Sequence, residues 1–176
     1  HMPVAAAYAL TASLAIPSLI ELGVPLMAAH MFVVYYSTFS AITPPVAVAS
    51  YAAAGIADAS ATKIGWMAVR LGIACFIIPF MFVFDTSMLA APADFMKLST
   101  YLMIGLGLLG CYSISAGIEG FLKHKLNPIF RGILLLAGFA MVYPETMSSI
   151  IGLSAFAVIY VLQAAQSKKA KLNSVI

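Results

Sequence analysis

Seven residues of one apolar stretch carry the oxygen atoms and backbone defects with which this sequence could do chemistry. Ser37, Ser40, Thr43, Ser50 and Tyr51 bring hydroxyls, and Pro44 and Pro45 follow Thr43 directly. Two adjacent prolines remove two backbone donors and clash with the preceding turn. Thr43, standing before a proline, is pushed out of helical geometry. The flanks, residues 27–42 and 46–57, are too apolar and together too long for a loop. The pattern predicts a membrane helix broken in its middle. Backbone freed at that depth has to be satisfied by protein or by a water-filled cavity. Broken helices of this kind build ion and substrate sites in secondary transporters. The carbonyls freed before Pro44 and Pro45, with the Ser40 and Thr43 hydroxyls, are hard oxygen ligands that suit a sodium ion. The N-terminus of the second half, near Val46, would face an anionic group through its dipole. Tyr51 follows the break closely enough to face the same site. The plain alternative is a proline kink that binds nothing. The hydroxyls crowded around Thr43-Pro44-Pro45 favour a site.

The elements that must position these residues are legible from composition. The chain has 176 residues, 63% of them hydrophobic and 9% charged, with a mean hydropathy of +1.04. A soluble domain carries about 25% charge, so the composition indicates an all-α integral membrane protein. At roughly 20 residues per crossing the length allows about five or six helices. The chain opens abruptly in apolar sequence with no basic n-region, which suggests a part of a larger protein and no secretory signal. The net charge of +3 lies at loops and the C-terminus, which fits membrane topology and not nucleic acid.

In chain order, residues 2–20 form an apolar segment that reads as a re-entrant hairpin arm or a full span, with Pro3 and Pro17 near its ends. Glu21 to Pro25 is a turn. The broken helix covers 27–57. A polar loop follows, in which Ser60 or Thr62 could cap the next helix. Residues 64–84 read as one clear span and 98–121 as another. In the second, Ser113, Gly117 and the pair Ala116/Gly120 would let a neighbouring helix approach. Residues 129–143 are barely long enough to cross, and 147–165 form the last helix. Basic residues at Lys63, at Lys123, Lys125 and Arg131, and in the tail place those ends and the C-terminus in the cytoplasm.

Other chemistry has little support. His30 lies in an apolar segment, which makes it a candidate by default, but its nearness to the Pro25 turn favours a structural role. Arg70 reads as an interfacial anchor or a contact to membrane lipids. All six acids fall at predicted ends, which argues against a carboxylate proton relay. Cys75 and Cys111 read as packing residues, and no spacing suggests a metal or another cofactor. No nucleophile–base set or phosphate-cradling loop is visible, so an enzyme is not indicated.

Several stretches resemble a known family. They are Met2-Pro3-Val-Ala-Ala-Ala-Tyr8, Ile16-Pro17, Glu21-Leu-Gly23-Val-Pro25, Ala29-His30-Met-Phe32, and above all Ser40-Ala-Ile-Thr43-Pro44-Pro45-Val46-Ala47 followed by Ala53 to Ala57. They are similar to the large membrane subunit of tripartite ATP-independent periplasmic (TRAP) transporters, most closely the fused form that works with TAXI-type binding proteins. The resemblance is strong over residues 2–90 and weaker beyond.

The resemblance implies the second half of an inverted-repeat, elevator-type permease in the bacterial inner membrane. Residues 1–90 would be the C-terminal part of the second transport repeat and 91–176 a helical extension. Met2 and Pro3 would sit near a hairpin tip. The break at Thr43, Pro44 and Pro45 would contribute to a sodium site. The permease would import an organic carboxylate delivered by a periplasmic solute-binding protein, and the rest of the permease would supply the other half of the site. The alternative is a membrane assembly or scaffold subunit that transports nothing.

Overall fold

The computed structural model describes the backbone of residues 3–89, 97–143 and 145–173, and the side chains of all of these but 87, 88 and 166–173. Among them are eight α-helices, one 3-10 turn and no strand. The helices make up six apolar segments, because two segments are broken. The chain divides into two compact units, His1–Thr100 and Tyr101–Ile176.

In the first unit α1 spans Val4–Glu21 and α2 spans Leu26–Phe39. The alanines at the start of α1 are the best helix formers, and Pro17 is accommodated inside the helix. The helix ends in a left-handed glycine cap. Gly23, at φ 86°, donates to Ile20 O, and Val24 N–H donates to Leu19 O. Only glycine adopts that φ without a steric penalty, and the two bonds satisfy carbonyls the helix end leaves open. Ile16, Ala29 and Val33 then form a core between α1 and α2, with Tyr8, Ala12 and Leu19 packed on it. Val4–Glu21 is thus one continuous helix despite Pro17.

α3 spans Val48–Ala57, α4 spans Ala61–Leu71, and α5 spans Ile73–Phe84, with a 3-10 turn at Thr86–Leu89. The single span expected at 64–84 is two helices bent by 45°. The bend falls at Gly72, whose N–H closes the last turn of α4 on Ala68 O at 2.8 Å. α4 is short and amphipathic, with Trp66, Met67 and Leu71 exposed and Gly65 buried. Ser60 takes the position before α4 but makes no side-chain cap bond, contrary to expectation. α5 lies against α2 through aromatic rings. Phe32 meets Phe80 edge-on at 5.3 Å, and Tyr35 meets Phe82 at 5.5 Å. Such pairs add about 0.5–1.5 kcal/mol each beyond area burial.

The second unit consists of α6 (Leu98–Glu119, entering from the boundary), α7 (Pro128–Val142) and α8 (Thr146–Asn173). Small residues set the packing. Gly110, Ser113 and Gly117 turn toward α7, and the Ser113 hydroxyl donates to Leu134 O at 2.7 Å. Ala116, Leu134, Met141, Phe156 and Ile159 form the core. Arg131, read from sequence as a loop charge, lies inside α7. Its Nε and Nη2 each donate at 2.9 Å to the carbonyls of Gly117 and Ile118 at the end of α6. A cation there complements the negative end of the helix dipole. With 15 residues, α7 is about 22 Å long at 1.5 Å per residue, short of the roughly 30 Å hydrocarbon core. Among the described residues three helices are long and apolar enough to cross a membrane, or four if the bent α4–α5 pair is one span.

Candidate functional site

α2 ends at Phe39, yet the chain keeps turning. Ala41 N–H donates to Thr38 O at 3.2 Å, and the N–H groups of Ile42 and Thr43 both reach Phe39 O at 3.1 Å. The winding stops at Pro44 and Pro45, which have no N–H to continue it. The peptide bond between them is cis. Ala47 then takes a left-handed conformation at φ 34° before α3 begins. For a residue other than glycine that geometry costs about 1–2 kcal/mol, and Ala47 is fully packed in it at 3% exposure. The break therefore runs over residues 40–47, wider than the Thr-Pro-Pro that signals it. Backbone bonds tie its two sides together, from Ala47 N–H to Thr43 O and from Ala49 N–H to Ala41 O, both at 3.0 Å.

The polar groups of the break are arranged with one consistent sense. The Ser40 hydroxyl donates to Ser37 O at 2.7 Å, and the Thr43 hydroxyl donates to Phe39 O at 2.7 Å. A hydroxyl has one proton and two lone pairs, so both protons are turned back into α2 and the lone pairs stay open. The carbonyl oxygens of Ser40, Pro44 and Pro45 accept no hydrogen bond among the described residues. These are oxygen acceptors of the kind a hard cation requires. On the other side, the N–H groups of Val48 and Ser50 have no acceptor among the described residues. They stand at the positive end of the α3 dipole, where a negative group is favoured.

Two glycines of the bent segment hold the break from outside. A Cβ on Gly65 would lie 2.8 Å from Pro44 Cγ, and one on Gly72 would lie 3.5 Å from Ile42 Cδ1. Sequence reading took Gly65 only as part of a span. The buried Ser50 hydroxyl, 3.5 Å from Ile42 O, adds a weak bond on the same side.

A cleft of about 780 Å³ opens beside the break. α1 contributes Ala7 and Thr11 to its wall, and α2 contributes Tyr36, Ser37 and Ser40. Val46, Val48 and Tyr51 close the other side. Of the residues singled out from sequence, the cleft brings together Ser37, Ser40 and Tyr51. Thr43, Pro44, Pro45 and Ser50 do not line it. Ser37 is 5% exposed, and its Oγ has no hydrogen-bond partner among the described residues. The Tyr36 hydroxyl is engaged elsewhere, donating to Phe76 O at 2.9 Å. Sequence reasoning missed Ala7, Thr11, Tyr36 and Ala47. Thr11 gave a signal, a hydroxyl in an apolar helix, but alanines give none.

His30 has a partner that sequence spacing did not reveal. The Tyr8 hydroxyl lies 2.6 Å from His30 Nδ1, joining α1 to α2. Met2 lies outside the described residues, and Pro3 stands immediately before α1, its carbonyl accepting from Ala7 N–H at 3.0 Å.

Comparison with curated proteins and with solved structures gave no match. The family model described as "Tripartite ATP-independent periplasmic transporter, DctM component" matches residues 1–92. The matched segment contains α1, the broken helix and the bent α4–α5 pair that holds it. A match over more than half of its residues means that the chain belongs to the DctM components of tripartite ATP-independent periplasmic transporters.

Proposed function

We propose that this chain is the C-terminal part of a sodium-coupled permease that imports an organic carboxylate. Membership in the DctM family makes it a membrane component of a TRAP transporter, a multi-pass inner-membrane protein and not an enzyme. The finer reading rests on one observation. The Ser40 and Thr43 hydroxyls bond backward into α2, which leaves their lone pairs open in the same segment as the carbonyls of Ser40, Pro44 and Pro45, which accept no hydrogen bond among the described residues. That oxygen set suits a sodium ion, and Pro44 and Pro45 hold the helix open around it. The N-terminus of α3 and the neighbouring cleft, with Ser37 and Tyr51, would receive the anionic substrate. A periplasmic solute-binding protein of the TAXI type would deliver it, and the remaining part of the permease would complete the site. The first unit carries the transport part and the second the helical extension, with the C-terminus in the cytoplasm.

The test is uptake by the full-length permease with its binding protein, screened over a panel of carboxylates with and without a sodium gradient. Thr43→Ala should raise the sodium concentration needed for half-maximal uptake, and Thr43→Ser should retain most of the wild-type response. Unchanged sodium dependence in Thr43→Ala and Pro44→Ala removes these residues from the ion site. Absence of any uptake by the complete wild-type system would favour the scaffold alternative.

A further inference from the structure

The second unit lies wholly beyond the family match and carries a charged corner that the break does not use. α6 ends at Glu119, and Gly120 follows in a left-handed conformation at φ 75°. The chain then folds tightly on itself. Leu126 N–H donates to Gly120 O at 2.8 Å, Leu122 N–H donates to His124 O at 3.3 Å, and Phe121 pairs with Lys125 in a short bridge. Leu126 is anchored in the core of the unit. α8 holds the loop from the other side. His124 N–H donates to Oε1 of the buried Gln163 at 3.1 Å, and Lys123 Nζ lies 4.3 Å from the centre of the Tyr160 ring. The loop is thereby fixed, and its cations stand at set positions.

Arg131 uses two of its N–H groups to cover the end of α6. A guanidinium has five, so three have no acceptor among the described residues. Arg131 and Lys125 line a cavity of about 470 Å³ together with Glu119, Phe121 and Leu126. Two cations there outweigh one acid. Past Gln163, α8 continues to Asn173. At 1.5 Å per residue its Lys168, Lys169 and Lys171 lie about 8–12 Å further along the axis. Along the chain, the basic loop and the basic stretch of α8 therefore fall toward the same end of the unit. Apolar helices run away from that end, which suits a corner at the boundary between hydrocarbon and headgroups. Clusters of four to eight Lys and Arg in that position attract anionic lipid.

We propose that the cavity between Arg131 and Lys125 binds the phosphate of an anionic phospholipid headgroup. Phe121, 54% exposed at the cavity edge, meets the start of the acyl chains. The cavity supplies paired donors for a phosphate, and the surrounding lysines raise the local concentration of anionic lipid. A free phosphate has the same chemistry but no use for the apolar edge.

The experiment is thermal unfolding of the full chain purified in detergent, titrated separately with phosphatidylglycerol, phosphatidylcholine of the same acyl chains, and inorganic phosphate. Phosphatidylglycerol should raise the midpoint saturably, since a ligand of the folded state stabilises it by mass action, and phosphatidylcholine should not. Lys125 is exposed, so Lys125→Glu should fold normally and bind phosphatidylglycerol about tenfold more weakly or worse. Lys125→Gln serves as the second variant, with an intermediate loss. Retained lipid counted by native mass spectrometry gives a readout independent of the unfolding transition. An equal shift with phosphatidylcholine, or undiminished phosphatidylglycerol binding in both variants, overturns the proposal. A shift with inorganic phosphate as large as that with phosphatidylglycerol reassigns the cavity to free phosphate and overturns the lipid assignment.

Discussion

Pro44 rests on Gly65 so closely that a methyl group on the glycine would fall 2.8 Å from the proline ring. The ring is a rigid neighbour, so the two backbones would have to part. Gly65→Ala should therefore destabilise the permease by about 1–3 kcal/mol, the usual range for overpacking. Uptake by the full-length permease should fall more than protein abundance does, because the displaced element is the break. A thermal midpoint and an uptake rate both equal to wild type would show that the break is not seated on α4.

Ser37 offers the opposite relation between stability and activity. Its buried hydroxyl has no partner among the described residues, and an unsatisfied buried polar group costs about 1–3 kcal/mol. Ser37→Ala should raise the thermal midpoint slightly. If the cleft receives substrate, the same change should raise KM while leaving sodium dependence alone. A lowered midpoint would mean that Ser37 already has a partner in the complete permease.

The Tyr8–His30 bond joins the first two helices across 22 residues of sequence. Tyr8→Phe removes the hydroxyl and leaves an imidazole nitrogen unpaired, for an expected loss of about 1–2 kcal/mol. The double variant Tyr8→Phe with His30→Phe should be less destabilised than the two single losses added together. Strict additivity in chemical denaturation would show that the two groups do not interact.

On α7, two glycines should answer the same substitution differently. A Cβ on Gly138 would meet Ile114 and lie 2.7 Å from Gly110 O, whereas one on the exposed Gly132 would meet nothing within 4 Å. Gly132→Ala should stabilise by about 0.5–1 kcal/mol through helix propensity. Gly138→Ala should disrupt α6–α7 packing and lower the yield of folded protein in detergent. Size-exclusion profiles and thermal midpoints of the two variants distinguish these outcomes.

The prolines made the break legible, because their effect on a helix is local and independent of context. Its width was not legible. Ala47 adopts a left-handed backbone that alanine composition does not announce, and the 3-10 winding from Phe39 to Thr43 depends on hydrogen bonds no spacing encodes. The bend at Gly72 was hidden for a related reason. A glycine inside an apolar run reads equally as helix interior or hinge, and the contact with Ile42 that accompanies the bend comes from 30 residues away. The small face of α6 was readable from its four-residue spacing. Arg131 was misread because nearness to Lys125 in sequence says nothing about the carbonyls it covers. Likewise the cleft draws on α1 through Ala7 and Thr11, a tertiary association that the hydroxyl pattern around Thr43 could not contain.

The lengths of the two half-helices bear on how the protein is made. α2 has 14 residues and α3 has 10, about 21 Å and 15 Å of helix, and neither alone matches a bilayer core of roughly 30 Å. Neither half can be handed to the lipid as a finished segment during synthesis. The pair has to wait until α1 is in place on one side and the bent α4–α5 segment has emerged on the other. The break is thus among the last parts of the first unit to settle in biogenesis, and a ribosome-bound chain truncated before Phe84 would carry it unseated.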